Sequence, residues 1–207
     1  GGDPVTEEYA LTASYTQQNY NDQDFKRLAL GGSWQREVGN WLKIYSLNLQ
    51  YEDYQVGDEP RSTSFLVIPG LNWTWIDADD RLFTSHGLLF GFEARGASTA
   101  LLSDINFVQG LLHLKWIYAL NDDNRFIVRG DLGATAIRED FEKLPASLRF
   151  YTGGDASVRG YAYNSIGPTN EDGTVVGGKN LLVASLEYER RLWGNWGMAV
   201  FVGSGDA

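Results

Sequence analysis

The chain has 207 residues, no cysteine and a formal net charge of −10. This excludes disulfide staples, thiolate metal sites and cysteine nucleophiles, and an acidic balance of this size argues against a nucleic-acid footprint. The 24 glycines, 7 Trp, 11 Tyr and 10 Phe suit aromatic strands joined by tight turns, and no run approaches the roughly 20 apolar residues of a membrane helix.

Period-two alternation recurs about nine times, with a full apolar face in the first three stretches and a weaker pattern in the fourth. Over 7–18, Tyr9, Leu11, Ala13 and Tyr15 oppose Thr12, Ser14, Thr16 and Gln18. Over 25–38, Leu28, Leu30 and Trp34 oppose Arg27, Ser33, Gln35 and Glu37. Over 41–54, Trp41, Tyr45, Leu47, Leu49 and Tyr51 oppose Ser46, Asn48, Gln50 and Glu52. The stretch 65–76 has an apolar face of Phe65, Val67, Leu71, Trp73 and Trp75, with Pro69 predicting a bulge or local break.

Further on, Leu88, Phe90, Phe92 and Ala94 oppose Glu93 and Arg95. Val108, Leu112, Leu114, Trp116 and Tyr118 oppose Gln109, His113 and Lys115, a polar face on which a further polar change at Gln109 should be tolerated. Phe126, Val128, Leu132 and Ala134 oppose Arg129, Asp131 and Thr135. Leu182, Leu186, Tyr188 and Leu192 oppose Ser185, Glu187, Glu189 and Arg191, and 198–202 begins a last strand.

Strands of about ten residues or more exceed the five or six usual in soluble sheets. With aromatic ends (Trp41 and Tyr51, Trp73 and Trp75, Trp116 and Tyr118, Trp193 and Trp196) they predict an all-β, antiparallel transmembrane barrel rather than a soluble sandwich. The connections alternate between short (Gly39-Asn40, 121–124, 191–196) and longer (19–24, 56–64, 96–105), with 76–87 breaking the pattern. Short turns belong on the periplasmic side and longer loops outside.

No catalytic constellation emerges. His86 neighbours Ser85 in a connection, and His113 lies on the polar face of its strand, where a hydrogen-bonded histidine is the expected state. Asp77, Asp79 and Asp80, like Asp122 and Asp123, read as solvated acidic turns without EF-hand spacing. Neither Gly153-Gly154-Asp155 nor Gly178-Lys179 has the context of a phosphate loop. No enzyme activity, metal or cofactor is expected.

One segment lacks alternation, residues 144–168, LPASLRFYTGGDASVRGYAYNSIGP. Loops of this length are uncommon unless functional or disordered, and the aromatics Phe150, Tyr151, Tyr161 and Tyr163 argue against disorder. Arg149 and Arg159 are its cations. Arg159 before Gly160 and Tyr161 reads either as an anchor for a carboxylate or as a solvated loop arginine.

LRFYTGGDASVRGY resembles the long-loop motif of the outer-membrane assembly-factor superfamily, which includes BamA-like and TamA-like proteins. With RFIVRGDLGAT, LLSDINF and SLEYERRLWGNWG, the chain is most similar to the TamA-like branch over 87–207, while 1–86 agrees in barrel character. The resemblance implies a Gram-negative outer-membrane barrel of about sixteen strands, about nine of them here. It also implies that 1–207 is part of a C-terminal barrel domain with an internal loop over 144–177. Periplasmic domains, first strands and last strands are expected outside the chain.

The implied work is assembly or translocation of unfolded outer-membrane proteins, in contact with membrane lipid and a periplasm-spanning, inner-membrane-anchored partner of the TamB type. A two-partner secretion transporter and a plain porin or adhesin barrel are the alternatives. The loop motif falls on Gly153, Gly154, Asp155, Val158, Arg159, Gly160 and Tyr161, and the acid expected to hold Arg159 is Glu187. A second family acid is expected where this chain has Gly203, and Asp206 is of opposite parity.

Overall fold

The computed structural model describes residues 6–20, 23–80, 84–154, 157–194 and 196–207. Nine antiparallel strands follow one another in a single sheet in chain order. They are β1 (Glu7–Tyr20), β2 (Gln23–Val38), β3 (Trp41–Val56), β4 (Ser62–Ala78), β5 (His86–Ala97), β6 (Phe107–Asn121), β7 (Asn124–Ile137), β8 (Asn180–Arg191) and β9 (Gly197–Asp206). Among the described residues, β1 and β9 each pair on one side only, so the sheet is an open arc of a barrel.

The polarity is inverted relative to a water-soluble protein. Leu11, Leu47, Leu114, Leu132 and Val202 are exposed on the outer face, while Gln50, Glu52, Gln109, Thr135 and Glu187 are buried on the inner one. An apolar surface this continuous is not tolerated in water and marks a lipid-contacting face. At the end carrying the short turns the outer aromatics touch one another. Trp34 stacks on Tyr45 at 5.5 Å, Tyr45 meets Trp73 edge-on at 6.2 Å, and Trp116 stacks on Tyr118 at 5.6 Å.

The expected bulge at Pro69 does not form, because β3 and β4 keep one register through Leu47↔Pro69. The reason is the direction of the missing N–H. Phe65 and Val67, of the same parity, turn their N–H groups away from β3, to Asp104 Oδ2 at 2.6 Å and Ser103 Oγ at 2.9 Å. The proline's absent donor falls on that side too, where the β4–β5 ladder starts only at Gly70↔Arg95.

One connection also differs from expectation. Tyr20 and Gln23 already pair, so the link between β1 and β2 is shorter than the 19–24 loop foreseen, and Asp22 lies outside the described residues. The link 79–85 remains the long one on the short-turn side, and Asp79 braces it. Its carboxylate accepts the backbone N–H of Asp80 at 2.9 Å, Ser85 at 3.0 Å and His86 at 3.1 Å. Desolvation pushes that carboxyl up, but the three N–H donors prevail and hold it below its usual value.

The sheet's inner face is not uniformly polar. Toward the long-loop end Leu66, Ile68, Ala97, Ile105 and Phe107 form a cluster with Leu144 and Leu148 of the loop, and Phe25, Tyr54 and Val56 form another with Ala146. The tolerance expected at Gln109 is therefore overturned. Its Nε2 donates to Thr135 Oγ1 at 2.7 Å and to the Leu148 carbonyl at 2.8 Å, both in buried surroundings.

Leu114→Arg should cost about 2–4 kcal/mol of stability in a denaturant titration of lipid-folded protein, the range for a cation at the bilayer midplane. Lys115→Gln, on the neighbouring inward position, should leave it unchanged within error. Equal losses at both positions would mean that the outer face does not meet lipid.

Candidate functional site

The connection between β7 and β8 folds back onto the inner face in two parts of different character. Its base runs through two short 3-10 turns, Phe141–Lys143 and Ala146–Leu148. Isolated bridges Phe150↔Gly178, Thr152↔Ile166 and Thr169↔Val175 then zip its limbs together, leaving a tip between Thr152 and Ile166.

The base is a plug seated by polar groups of the strands. Glu52, with no exposed surface, accepts the Ser147 N–H at 3.2 Å, the Ser147 hydroxyl, and Gln50 Nε2 at 3.0 Å. The Tyr54 hydroxyl donates to the carbonyl of Lys143 at 2.9 Å and, at a longer 3.3 Å, to that of Glu142.

At its centre lies Arg149, whose side chain is 0% exposed. Nε donates to the Leu144 carbonyl at 2.9 Å. Nη1 donates to Glu59 Oε1 at 2.7 Å and to the Val176 carbonyl at 3.0 Å, and Nη2 to Glu59 Oε2 at 2.6 Å and to the Glu142 carbonyl at 2.9 Å. All five N–H donors of the guanidinium are thus used, two of them in a bidentate fork on one carboxylate. The Phe141 ring covers the guanidinium at 5.1 Å.

The tip carries the sequence-predicted residues. Gly153 and Gly154 both have positive φ, at 105° and 101°, and a Cβ on Gly153 would stand 2.5 Å from the Ala162 carbonyl oxygen. Only glycine fits this reversal. Asp155 lies outside the described residues. Val158 is buried, with a methyl close enough to β9 that a Cβ on Gly205 would lie 2.9 Å from it. Gly160 has φ 93°, and Tyr161 is exposed.

The structure brings Arg159 and Glu187 together. Arg159 Nη2 is 3.2 Å from Glu187 Oε2, and its guanidinium sits 4.5 Å from the centre of the Phe201 ring. Two partners here were missed by sequence reasoning. Arg129, inward on β7, holds the same Glu187 oxygen at 2.8 Å, and Phe201, the cross-strand neighbour of Glu187, offers a π face. Gly203 shares the inward parity of Phe201, so the ring stands one inward position from the place where an acid was expected. The signals were present: Arg129 belonged to the polar face already read for β7, and the parity of β9 points Phe201 inward.

Arg149 and Glu59 were missed altogether as a pair, since 90 residues separate them and a loop carries each. A signal did exist for the plug's seat. Phe65, Leu66, Val67, Ile68 and Pro69 form an unbroken apolar run, so the inner face of Leu66 and Ile68, opposite the lipid-facing one, must also be covered.

Elsewhere on the inner face, His113 Nδ1 is 2.7 Å from Asp131 Oδ1 and its Nε2 is 3.7 Å from Glu93. His86 stands exposed at the start of β5, edge-on to Tyr118 at 5.2 Å. Among the described residues no group of three or more His, Asp or Glu side chains is placed to hold a metal ion.

Long strands in a meander, apolar outside and polar inside, with a loop folded onto the inner face, define a segment of a transmembrane β-barrel. The chain belongs to the Omp85 superfamily, whose domain model matches residues 2–207. Among solved structures, its fold is similar to the crystal structure of BamA from Haemophilus ducreyi lacking POTRA domains 1-3, with a TM-score of 0.80 at 17% identity. The match covers 97% of this chain and 46% of that one, so the chain spans less than half the length of that relative.

The two arginines should differ in weight. Breaking a fully buried pair costs about 3–5 kcal/mol, whereas a partly exposed pair with a cation–π contact is worth about 1 kcal/mol. Arg149→Ala should therefore lower the stability of the lipid-folded protein several times more than Arg159→Ala, and Arg149→Lys should not rescue it, because an ammonium lacks the five-donor fork. Denaturant midpoints check this. Equal losses for the two alanine variants would contradict the ranking.

Proposed function

We propose that this chain is part of the barrel of an outer-membrane assembly and translocation factor of the TamA type, acting at the Gram-negative cell surface. Residues 1–207 contribute strands to the barrel domain, and the internal loop over 144–177 folds onto part of its inner face. The work is not bond chemistry. Unfolded β-barrel or autotransporter proteins are helped into the bilayer, their strands adding by β-augmentation at a seam between the barrel's first and last strands. The partners are membrane lipid and a periplasm-spanning, inner-membrane-anchored subunit of the TamB type. The tip residues Gly153, Gly154, Asp155, Val158, Arg159, Gly160 and Tyr161, with Glu187, form the functional loop motif.

One observation carries this reading: in an Omp85 chain, the β7–β8 loop is committed to the inner face by a buried arginine. A plain porin keeps a water-filled channel. A barrel whose inner face seats a plug is suited to a different task.

Deleting the gene should reduce surface display of an autotransporter reporter while leaving porin levels near normal. In intact cells, a cysteine replacing Asp58 should label from outside, and one replacing Asn40 or Asp123 should not. Unchanged reporter display, together with steady ion conductance of the reconstituted protein, would identify a porin instead.

A further inference from the structure

Among the described residues Arg27 has no carboxylate within ion-pair distance, and its guanidinium stands 6.0 Å from the centre of the Phe25 ring. The arginine projects inward from β2, directly across from Glu52 on β3. Cross-strand neighbours of opposite charge on one face ordinarily pair. Here no hydrogen bond joins them among the described residues: Glu52 accepts from Ser147 and Gln50 instead, and Arg27 acts on its charge only through space. The plug has taken the arginine's natural partner. The Arg27 Nε is buried and has no hydrogen-bond partner among the described residues. An unmade hydrogen bond at a buried charged group is costly to keep.

A second arginine opens onto the same space. Arg95, inward on β5, gives its Nε to Gln109 Oε1 at 2.7 Å. Arg27 and Arg95 line one cavity of about 420 Å³, with Asn48, Gln50 and Asn72 between them and Phe150 of the plug in its wall. Glu93, also in the lining, is occupied by Asn72 Nδ2 at 2.8 Å and has His113 3.7 Å away.

We propose that this cavity is a carboxylate-binding site, with Arg27 and Arg95 as its two donors, and that it takes an acidic side chain of a polypeptide lying along the inner face. A guanidinium with free N–H groups matches a carboxylate bidentately. The plug is what makes the site, since a loop that left the inner face would return Glu52 to Arg27. The site rests on its own geometry, while an acidic client segment as its natural occupant rests on the assembly reading above.

The test uses the full-length protein folded into lipid, at low ionic strength, with fluorescent penta-aspartate as probe and penta-asparagine as the neutral control. Penta-aspartate should bind, and Arg27→Gln and Arg95→Gln should each weaken it about tenfold, the loss of one charge-assisted contact. Arg27→Gln leaves the buried Glu52 only its Ser147 and Gln50 donors, so heat-modifiable gel mobility checks that each variant still folds, and Arg95→Gln gives an independent reading. Competition by succinate as strong as by unlabelled peptide would assign the site to small dicarboxylates, and weaker competition to polypeptide side chains. Either result supports a carboxylate site. Absence of binding by both probes, equal binding of penta-asparagine, or affinity unchanged in both variants would overturn it. Carboxylate binding with normal autotransporter display in the deletion strain would leave the site standing and remove only the assembly reading.

Discussion

A guanidinium with no exposed surface must place all of its N–H groups on acceptors or carry a large desolvation cost. Arg149 meets that demand by drawing together pieces of chain that share no secondary structure. Glu59 comes from the β3–β4 connection, Leu144 and Glu142 from the loop's outgoing limb, and Val176 from its returning limb. Remove the cation and a carboxylate and three carbonyls are left facing one another with nothing between them. The shape of the loop base, and the seating of Ala146, Leu148 and Phe150 against the strands, follow from that one buried charge.

The base and the tip are held on different terms. Around the base, the inner face turns apolar at Leu66, Ile68 and Phe107, so burial and the arginine act together. The tip rests on Arg159, whose side chain keeps a third of its surface in solvent and shares Glu187 with Arg129. Competition between two cations for one carboxylate oxygen makes the tip the weaker attachment. A loop fixed at its root and lightly held at its end can change its tip without unplugging the barrel. The same economy operates at Glu52, whose hydrogen bonds among the described residues go to Ser147 and Gln50 rather than to Arg27 across the ladder.

Much of the fold was legible because lipid reverses the usual polarity without altering the period. Leu47, Leu49 and Tyr51 alternate with Asn48, Gln50 and Glu52 whichever face meets water, and the aromatic ends decided which did. The motif around Arg159 and the inward parity of Glu187 were legible for the same reason: both follow from local pattern. What stayed hidden depends on tertiary closure. Nothing near Glu59 announces an arginine 90 residues away. Pro69 was read as a break because its parity relative to the end of the β4–β5 ladder is a property of the sheet, not of the strand. Gln109 looked like a solvated polar position until the loop's carbonyl came to rest on it.

The central claim is that the loop is rooted on the inner face by its base, and amide hydrogen exchange of the lipid-folded protein tests it directly. The N–H groups of Leu148, Arg149, Phe150 and Thr152 bond to the carbonyls of Pro145, Ala146, Gly178 and Ile166. They should exchange as slowly as the amides of β3 and β6, while those of Ser157 and Asn164 in the tip exchange earlier, in a separate opening. Base and tip exchanging together, at the rate of an unstructured loop, would contradict the account.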